Sequence, residues 1–117
     1  MAANALPTPT LNLTTEKTQE YIVHCTGRIT TETAAQLLET AESLIGKSRR
    51  VVLDFTGVNY LDSSGLGMIV GLLVSAKRSG CELRLVNLSP RIKEIFTMAR
   101  LFEVLGGHEE YLGVTPD

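Results

Sequence analysis

The chain has 117 residues, of which 44% are hydrophobic and 21% charged, and its formal net charge is −2. This length and composition are typical of one globular domain with a single core and exclude general disorder. Nucleic-acid binding and membrane insertion are not expected, because the basic residues are scattered apart from a short cluster at residues 47–50 and no apolar run approaches the ~20 residues that cross a bilayer.

The N-terminal part predicts a tail followed by a hairpin. The first ten residues contain two prolines and no apolar periodicity, so residues 1–10 are expected to form a flexible tail and residues 11–117 a single domain. Strands are predicted at Leu11–Thr15 and at Tyr21–Thr26, where β-branched and aromatic residues are enriched. Gly27 is expected to end the second strand.

A first helix is predicted after this hairpin. Its start is expected near Thr30 or Thr31, whose hydroxyl could accept a hydrogen bond from an amide of the first turn. Gly46 is expected to end the helix in a left-handed conformation. The predicted buried stripe has helical spacing and comprises Ala34, Leu37, Leu38, Ala41, Leu44 and Ile45.

A buried strand and a second helix come next. The run Arg50–Phe55 contains consecutive apolar residues, which is typical of a parallel strand covered on both faces. The helix is predicted from about Ser64 to Ser79, with Gly80 as its stop and Lys77 and Arg78 near its C-terminal end. Its predicted inner stripe is Leu66, Ile69, Val70, Leu73 and Ala76.

The last predicted elements are a strand, a helix and a short strand. The strand is Glu82–Val86, and Ser89-Pro90 opens a helix whose buried face is Ile92, Ile95, Phe96 and Ala99. Residues 101–107 could form a short final strand. The order of elements predicts an α/β fold, in which a small mixed sheet of four to five strands, the later ones parallel, is combined with three or four helices.

The most informative stretch is Asp62-Ser63-Ser64-Gly65-Leu66-Gly67, where a loop becomes the second helix. With Ser63 as the cap, the amides of Gly65 and Leu66 would be free, and they would favour an anion such as a phosphate on the Ser63 hydroxyl. Gly65 would leave room beside that hydroxyl. The alternative is ordinary capping chemistry without a function, which the residue spacing alone does not exclude.

The motif and its surroundings resemble the STAS domain, and in particular stand-alone anti-sigma factor antagonists. The resemblance extends from about Leu11 to Leu105 and rests on the segments 52–55, 62–67, 80–83 and 88–92 and on Leu101-Phe102. It implies partner switching without enzymatic activity. The unphosphorylated protein binds an anti-sigma factor that is also a serine kinase, this kinase phosphorylates Ser63, and a serine phosphatase removes the phosphate.

The resemblance also implies a partner-binding surface, and it includes one departure. The family typically has an acidic residue and an aspartate where this chain has Arg28 and Thr30, which puts the kinase step in question. Arg28 could pair with a phosphoserine or mark a different partner, such as a lipid-transport ATPase complex or a signalling scaffold that a STAS subunit serves. The expected surface comprises Arg28, Thr30, Asp62, Ser63, Ser64, Gly67, Met68 and Gly71.

Other sites are weaker in this sequence. Asp54 ends the apolar run, as a receiver phospho-acceptor would, but the companion acidic pair is missing and capping of the turn at Thr56-Gly57 is the preferred interpretation. Ser63 lacks the Gly-x-Ser-x-Gly elbow of a hydrolase, and His24 and His108 are expected at the surface. The two cysteines make neither a disulfide framework nor a metal motif. We therefore expect no catalytic residue, metal or cofactor, and a cytoplasmic location.

Overall fold

The computed structural model describes residues 10–98, which form a four-stranded sheet and three helices. The elements are β1 (Leu11–Lys17), β2 (Tyr21–Ile29), α1 (Ala34–Ile45), β3 (Arg50–Leu61), α2 (Ser63–Ser79), β4 (Glu82–Val86) and α3 (Pro90–Met98). The strand order is β1-β2-β3-β4; β1 is antiparallel to β2, and the other two pairings are parallel. The predicted α/β class with a mixed sheet is confirmed. Residues 1–9 of the predicted tail, Ala99, the predicted strand at 101–107 and His108 lie outside the described residues.

One face of the sheet carries the core. Alternate side chains on the three parallel strands are buried and belong to the same apolar cluster as α1 and α2, which lie side by side. The prediction that residues 51–53 are covered on both faces is confirmed, because Val52 is also buried. The buried strand side chains of this cluster are Leu11, Val23, Cys25, Ile29, Val51, Leu53, Phe55, Val58, Leu61, Leu83 and Leu85.

Gly27 lies inside β2 and does not end it. The strand continues to Ile29, with shifts in its pairing to β3 on either side of Gly27. The φ angle of Gly27 is 119°, and a Cβ at this position would collide with the carbonyl oxygen of Thr10, which accepts a hydrogen bond from the Arg28 amide. The glycine is therefore a bulge residue that allows the start of β1 to pack against β2.

The predicted start of α1 is wrong, whereas Gly46 ends the helix as predicted but not in the predicted left-handed conformation. The helix begins at Ala34, after a turn in which the Thr30 carbonyl accepts hydrogen bonds from the amides of Thr33 and Ala34. Neither Thr30 nor Thr31 caps the helix with its hydroxyl, since both hydroxyls donate to other side chains. Gly46 has a φ of −71°, so the helix ends without a left-handed residue.

The predicted inner stripe of the second helix is confirmed at Ile69, Leu73 and Ala76 and shifted at its other positions. Leu66 and Val70 are only half-buried, whereas Gly65 and Leu72 join Ile69, Leu73 and Ala76 in the core. Gly80 ends the helix with a φ of 72°, as predicted. In α3, Ser89 accepts a hydrogen bond from the Ile92 amide, which confirms it as a cap. None of the helices within residues 10–98 is long and apolar enough to cross a membrane.

Candidate functional site

Asp62, and not Ser63, is the cap of α2. Its backbone is extended, with φ −100° and ψ −179°, and its Oδ1 accepts the Gly65 amide at 2.9 Å. The Asp62 carbonyl accepts the Leu66 amide at 2.9 Å. The prediction that these two amides are free is therefore wrong, because a charged carboxylate one residue earlier reaches the third amide of the helix and is a stronger acceptor than a serine hydroxyl.

Ser63 becomes the first residue of the helix and remains exposed. Its hydroxyl makes no hydrogen bond with any group in residues 10–98, and neither its amide nor that of Ser64 has a partner within this range. The unpaired amides and the helix dipole give this end of α2 a positive potential. An anion attached to Ser63 would meet favourable donors on the helix and the Asp62 carboxylate beside them.

The start of α2 is bonded to the turn between β2 and α1. The second carboxylate oxygen of Asp62 accepts the Thr31 amide at 3.2 Å, and the Thr31 hydroxyl donates to the Ser64 hydroxyl at 2.9 Å. In addition, the Asp62 amide donates to the Ile29 carbonyl at 3.2 Å. The turn and the helix start therefore form one hydrogen-bonded unit, in which both oxygens of Asp62 are occupied.

Within this turn, Thr30 is buried and Glu32 is exposed. Thr30 is only 5% exposed, and its hydroxyl donates to Oε1 of Glu32 at 3.0 Å. Thr33 closes the turn, since its hydroxyl donates to the Arg28 carbonyl at 2.7 Å and accepts the Thr30 amide at 2.9 Å. A partner approaching this edge would meet the Glu32 carboxylate before the Thr30 side chain.

Arg28 lies at the same edge of the sheet, stacked on an aromatic ring. Its guanidinium carbon is 4.2 Å from the centroid of Tyr60, and the two residues are paired in register between β2 and β3. Both side chains are exposed. Stacking fixes a cation at the end of the sheet where α2 begins.

Sequence reasoning missed Thr31, Glu32 and Tyr60. The signal for Tyr60 was available, because the C-terminal ends of parallel strands meet at one edge of a sheet, and β3 ends just before the motif. Thr31 and Glu32 could not be found in this way, because their roles depend on hydrogen bonds to Ser64 and Thr30 that spacing does not reveal.

The three glycines of α2 have two different environments. A Cβ on Gly65 would lie 2.7 Å from both Cγ2 and the carbonyl oxygen of Ile29. Gly65 therefore allows the helix to pack on the sheet, and the expectation that it leaves room beside the serine hydroxyl is wrong. At Gly67 and Gly71, by contrast, an added Cβ would meet no atom within 4 Å.

Gly67 and Gly71 follow Ser63 at intervals of four residues and lie on the solvent-facing side of α2, which Val74 extends. Met68 is half-buried beside this stripe. The structure thus brings together all eight residues of the expected surface at one end of the sheet and along one helix, with Thr30 beneath the others.

Asp54 lies in a different cluster. Its Oδ1 accepts the Thr56 amide at 3.0 Å, which agrees with a turn-capping role, and also a hydrogen bond from Asn87 at 3.0 Å. Burial alone would raise the pKa of Asp54, but hydrogen bonds from Thr56, Asn87 and His24 outweigh it and lower the pKa to about 2. A carboxylate with all these partners braces the strand ends and is poorly placed to accept a phosphoryl group.

Two residues of β2 near Asp54, His24 and Cys25, are not suited to catalysis. His24 is on the strand with its side chain 42% exposed, as predicted, and both ring nitrogens contact carboxylates. Cys25 fills the core, also as predicted, and burial together with the charge of Asp54 raises the pKa of its thiol to about 12. Within residues 10–98 no group of three or more His, Cys, Asp and Glu residues could hold a metal ion.

The chain is similar in sequence and in fold to proteins of one family. The model of the STAS domain matches residues 12–111. The anti-sigma-B factor antagonist of Listeria monocytogenes is 33% identical over 92 residues, which cover 77% of this chain and 81% of the relative. The anti-sigma factor antagonist SpoIIAA in its unphosphorylated form has a TM-score of 0.66 at 17% identity, covering 90% of this chain and all of that one. SpoIIAA of Bacillus in its phosphorylated form has a TM-score of 0.63 at 19% identity, covering 80% and 86% of the two chains.

Proposed function

Because this chain belongs to the STAS domain family, we propose that it is an anti-sigma factor antagonist that works by partner switching. In this proposal residues 11–117 form one cytoplasmic STAS domain that binds an anti-sigma factor with serine-kinase activity. Phosphorylation of Ser63 ends the binding, and a serine phosphatase restores it. The relatives are named as antagonists of anti-sigma factors and not as enzymes. The observation that carries the proposal is the exposed hydroxyl of Ser63 on the first turn of α2, which has no hydrogen-bond partner among residues 10–98.

The proposed docking surface, called here the α2 face, consists of Ser63, Ser64, Gly67, Met68 and Gly71. A glycine inside a helix is unfavourable by roughly 0.5–1 kcal/mol relative to alanine. For Gly65 packing against Ile29 explains this cost, but no contact within residues 10–98 explains it for Gly67 and Gly71. A partner that packs closely against the bare helix backbone would explain both glycines.

A phosphate on Ser63 would act on this surface through charge and volume. It adds roughly −1.5 to −2 charges at neutral pH, and burying them without a counter-charge in an interface costs several kcal/mol. A loss of ~1.4 kcal/mol already lowers affinity tenfold. Asp62 strengthens the effect, because its two oxygens are bonded to Gly65 and Thr31 and the carboxylate cannot turn away without breaking these bonds.

The acidic residues typical of the family are absent at Arg28 and Thr30, but the fold places another carboxylate close to Thr30. Glu32 brings a carboxylate within 3.0 Å of the Thr30 hydroxyl. An acidic group therefore remains in the turn that is bonded to the start of α2. We propose that Glu32 takes the place of the missing aspartate, with Thr30 holding it, and that Arg28 contacts the partner next to it.

The test is phosphorylation by the anti-sigma factor kinase encoded closest to this gene. The purified chain is incubated with the kinase and ATP, and the modified residue is located by mass spectrometry. We expect phosphate on Ser63 and none in Ser63→Ala. Ser64→Ala is the matched control, because Ser64 is the adjacent exposed serine and its loss should leave the modification intact. Phosphate found only at other residues would reject Ser63 as the control point.

A second candidate is a STAS subunit of another assembly, such as a lipid-transport ATPase complex or a signalling scaffold, without control through Ser63. Arg28 favours it, since an exposed cation replaces the acidic residue typical of the family at this turn. Affinity purification of the tagged chain distinguishes the two candidates. Recovery of transporter subunits in place of a sigma-regulating kinase would favour the second.

A further inference from the structure

A histidine connects three strands on the sheet face opposite Val23, Cys25 and Leu53. His24 of β2 lies between Glu16 of β1 and Asp54 of β3. Its Nε2 is 2.9 Å from Oε1 of Glu16, and its Nδ1 is 2.9 Å from Oδ2 of Asp54. These two carboxylates are the charged groups facing the ring, since Thr56 and Asn87, which bind the same Asp54 side chain, are neutral.

Ionised carboxylates only accept hydrogen bonds, so both ring nitrogens must donate for the two contacts to be favourable. A neutral imidazole has one N–H and would turn a lone pair towards one of the carboxylates. The imidazolium form satisfies both contacts of the observed geometry. We propose that protonated His24 is a clasp that holds the edge strand β1 to Asp54 at the centre of the sheet, and that loss of its proton releases β1 from this attachment.

The two carboxylates of the clasp, those of Asp54 and Glu16, differ in how firmly they are held. Asp54 is held by Thr56 and Asn87 and its side chain is 17% exposed, whereas the Glu16 side chain is 54% exposed on the edge strand. After deprotonation, the bond to Asp54 is the one that its surroundings keep in place. Glu16 is the group that moves.

The opposite end of β1 from Glu16 has its own attachments, which do not involve His24. The carbonyl of Thr10, next to the first residue of β1, accepts the Arg28 amide at 2.9 Å, and the carbonyl of Leu11 accepts a hydrogen bond from the Gln36 side chain at 2.7 Å. This proposal does not depend on the function proposed above.

The direction of the pH effect follows from the direction in which the pKa of the His24 ring is shifted. The pKa of His24 is raised above its ordinary value of 6.5, first by the hydrogen bond to Glu16 and then by that to Asp54. A group with a raised folded-state pKa contributes stability that is complete below the unfolded-state pKa and is lost as the pH rises through the folded-state pKa. The clasp is therefore closed in mildly acidic solution and opens on the alkaline side of this raised pKa.

The experiment is an NMR titration of the full chain, with the two histidines assigned by using His108→Gln. We expect His24 to titrate at a higher pH than in the urea-unfolded chain, and Glu16→Gln to lower its pKa. Glu20→Gln is the control, because Glu20 is a nearby carboxylate that contacts Arg50 instead. Titration of His24 at its unfolded-state pKa, unchanged by Glu16→Gln, would overturn the clasp.

Amide hydrogen exchange gives a second readout, because it reports on the strand and not on the ring. After correction for the intrinsic pH dependence of exchange, protection of the β1 amides near Glu16 should fall several-fold across the His24 transition in the natural chain. In Glu16→Gln the protection should be low on both sides of the transition. Equal protection of β1 above and below the transition in the natural chain would also overturn the proposal.

Discussion

Alanine substitution at the three glycines of α2 distinguishes effects on the free energy of unfolding from effects on the affinity for the partner. At Gly67 and Gly71 an added methyl meets no atom within 4 Å, so each change should stabilise the free protein by roughly 0.5–1 kcal/mol through helix propensity. The double variant should gain about 1–2 kcal/mol in unfolding free energy, which corresponds to an increase of roughly 5–10 °C in Tm for a domain of this size. Urea and thermal unfolding measure both quantities.

The same two methyl groups should weaken binding to the anti-sigma factor. If a partner packs against the bare helix backbone, each methyl overpacks the interface by roughly 1–3 kcal/mol, which is about a 5- to 150-fold loss of affinity by titration calorimetry. Gly65→Ala is the matched control on the buried side. Its Cβ would lie 2.7 Å from the rigid carbonyl oxygen of Ile29, so it should destabilise the fold by about 1–3 kcal/mol.

These outcomes test two separate statements. Unchanged affinity in Gly67→Ala and Gly71→Ala would reject the α2 face as the docking surface, whatever happens to stability. A fall in unfolding free energy in these two variants would show that the helix is covered within the free chain and would refute the open space at both positions.

Substitutions at three further residues probe contacts of the site and of the sheet. Asp62→Ala should lower the unfolding free energy by roughly 1–2 kcal/mol in urea, because it removes the cap of α2, whereas Asp62→Asn should lose less. Gly27→Ala should be destabilising by ~1–3 kcal/mol or more, because φ is 119° and the carbonyl of Thr10 occupies the space of the new methyl. Asp54→Asn should destabilise the protein at neutral pH, and the difference should vanish as the pH falls towards 2, since the pKa of Asp54 is lowered to about 2 and its contribution is lost through that value. A difference between Asp54→Asn and the natural chain that is constant between pH 6 and pH 2 would contradict this assignment.

The order of elements could be predicted from sequence because each one has its own local signal. Tyr21–Thr26 and Glu82–Val86 have the composition of strands, and the apolar residues of α1 recur at helical spacing. The ends of elements were less predictable. The start of α1 depends on hydrogen bonds of Thr33 to the backbone at Arg28 and Thr30, and the continuation of β2 past Gly27 depends on the carbonyl of Thr10.

The start of α2 was located correctly along the chain, but its cap was assigned to the wrong residue. Asp62 and Ser63 are both good caps by composition, and residue preference does not distinguish them. The choice is decided by contacts 31 and 33 residues away in sequence, where Thr31 donates to Asp62 and to Ser64. Local pattern therefore finds the helix start, and tertiary contacts decide which side chain serves it.

The assignment of the cap to Asp62, and not to Ser63, affects how Ser63 could act as a switch. If Ser63 were the cap, phosphorylation would remove a hydrogen bond from the helix and change the free energy of folding together with that of binding. With Asp62 as the cap, the Ser63 hydroxyl makes no hydrogen bond in residues 10–98, so a modification there would break no hydrogen bond of that hydroxyl within these residues. In the proposed switch Asp62 continues to cap α2, and a phosphate on Ser63 would act on the binding of the partner alone.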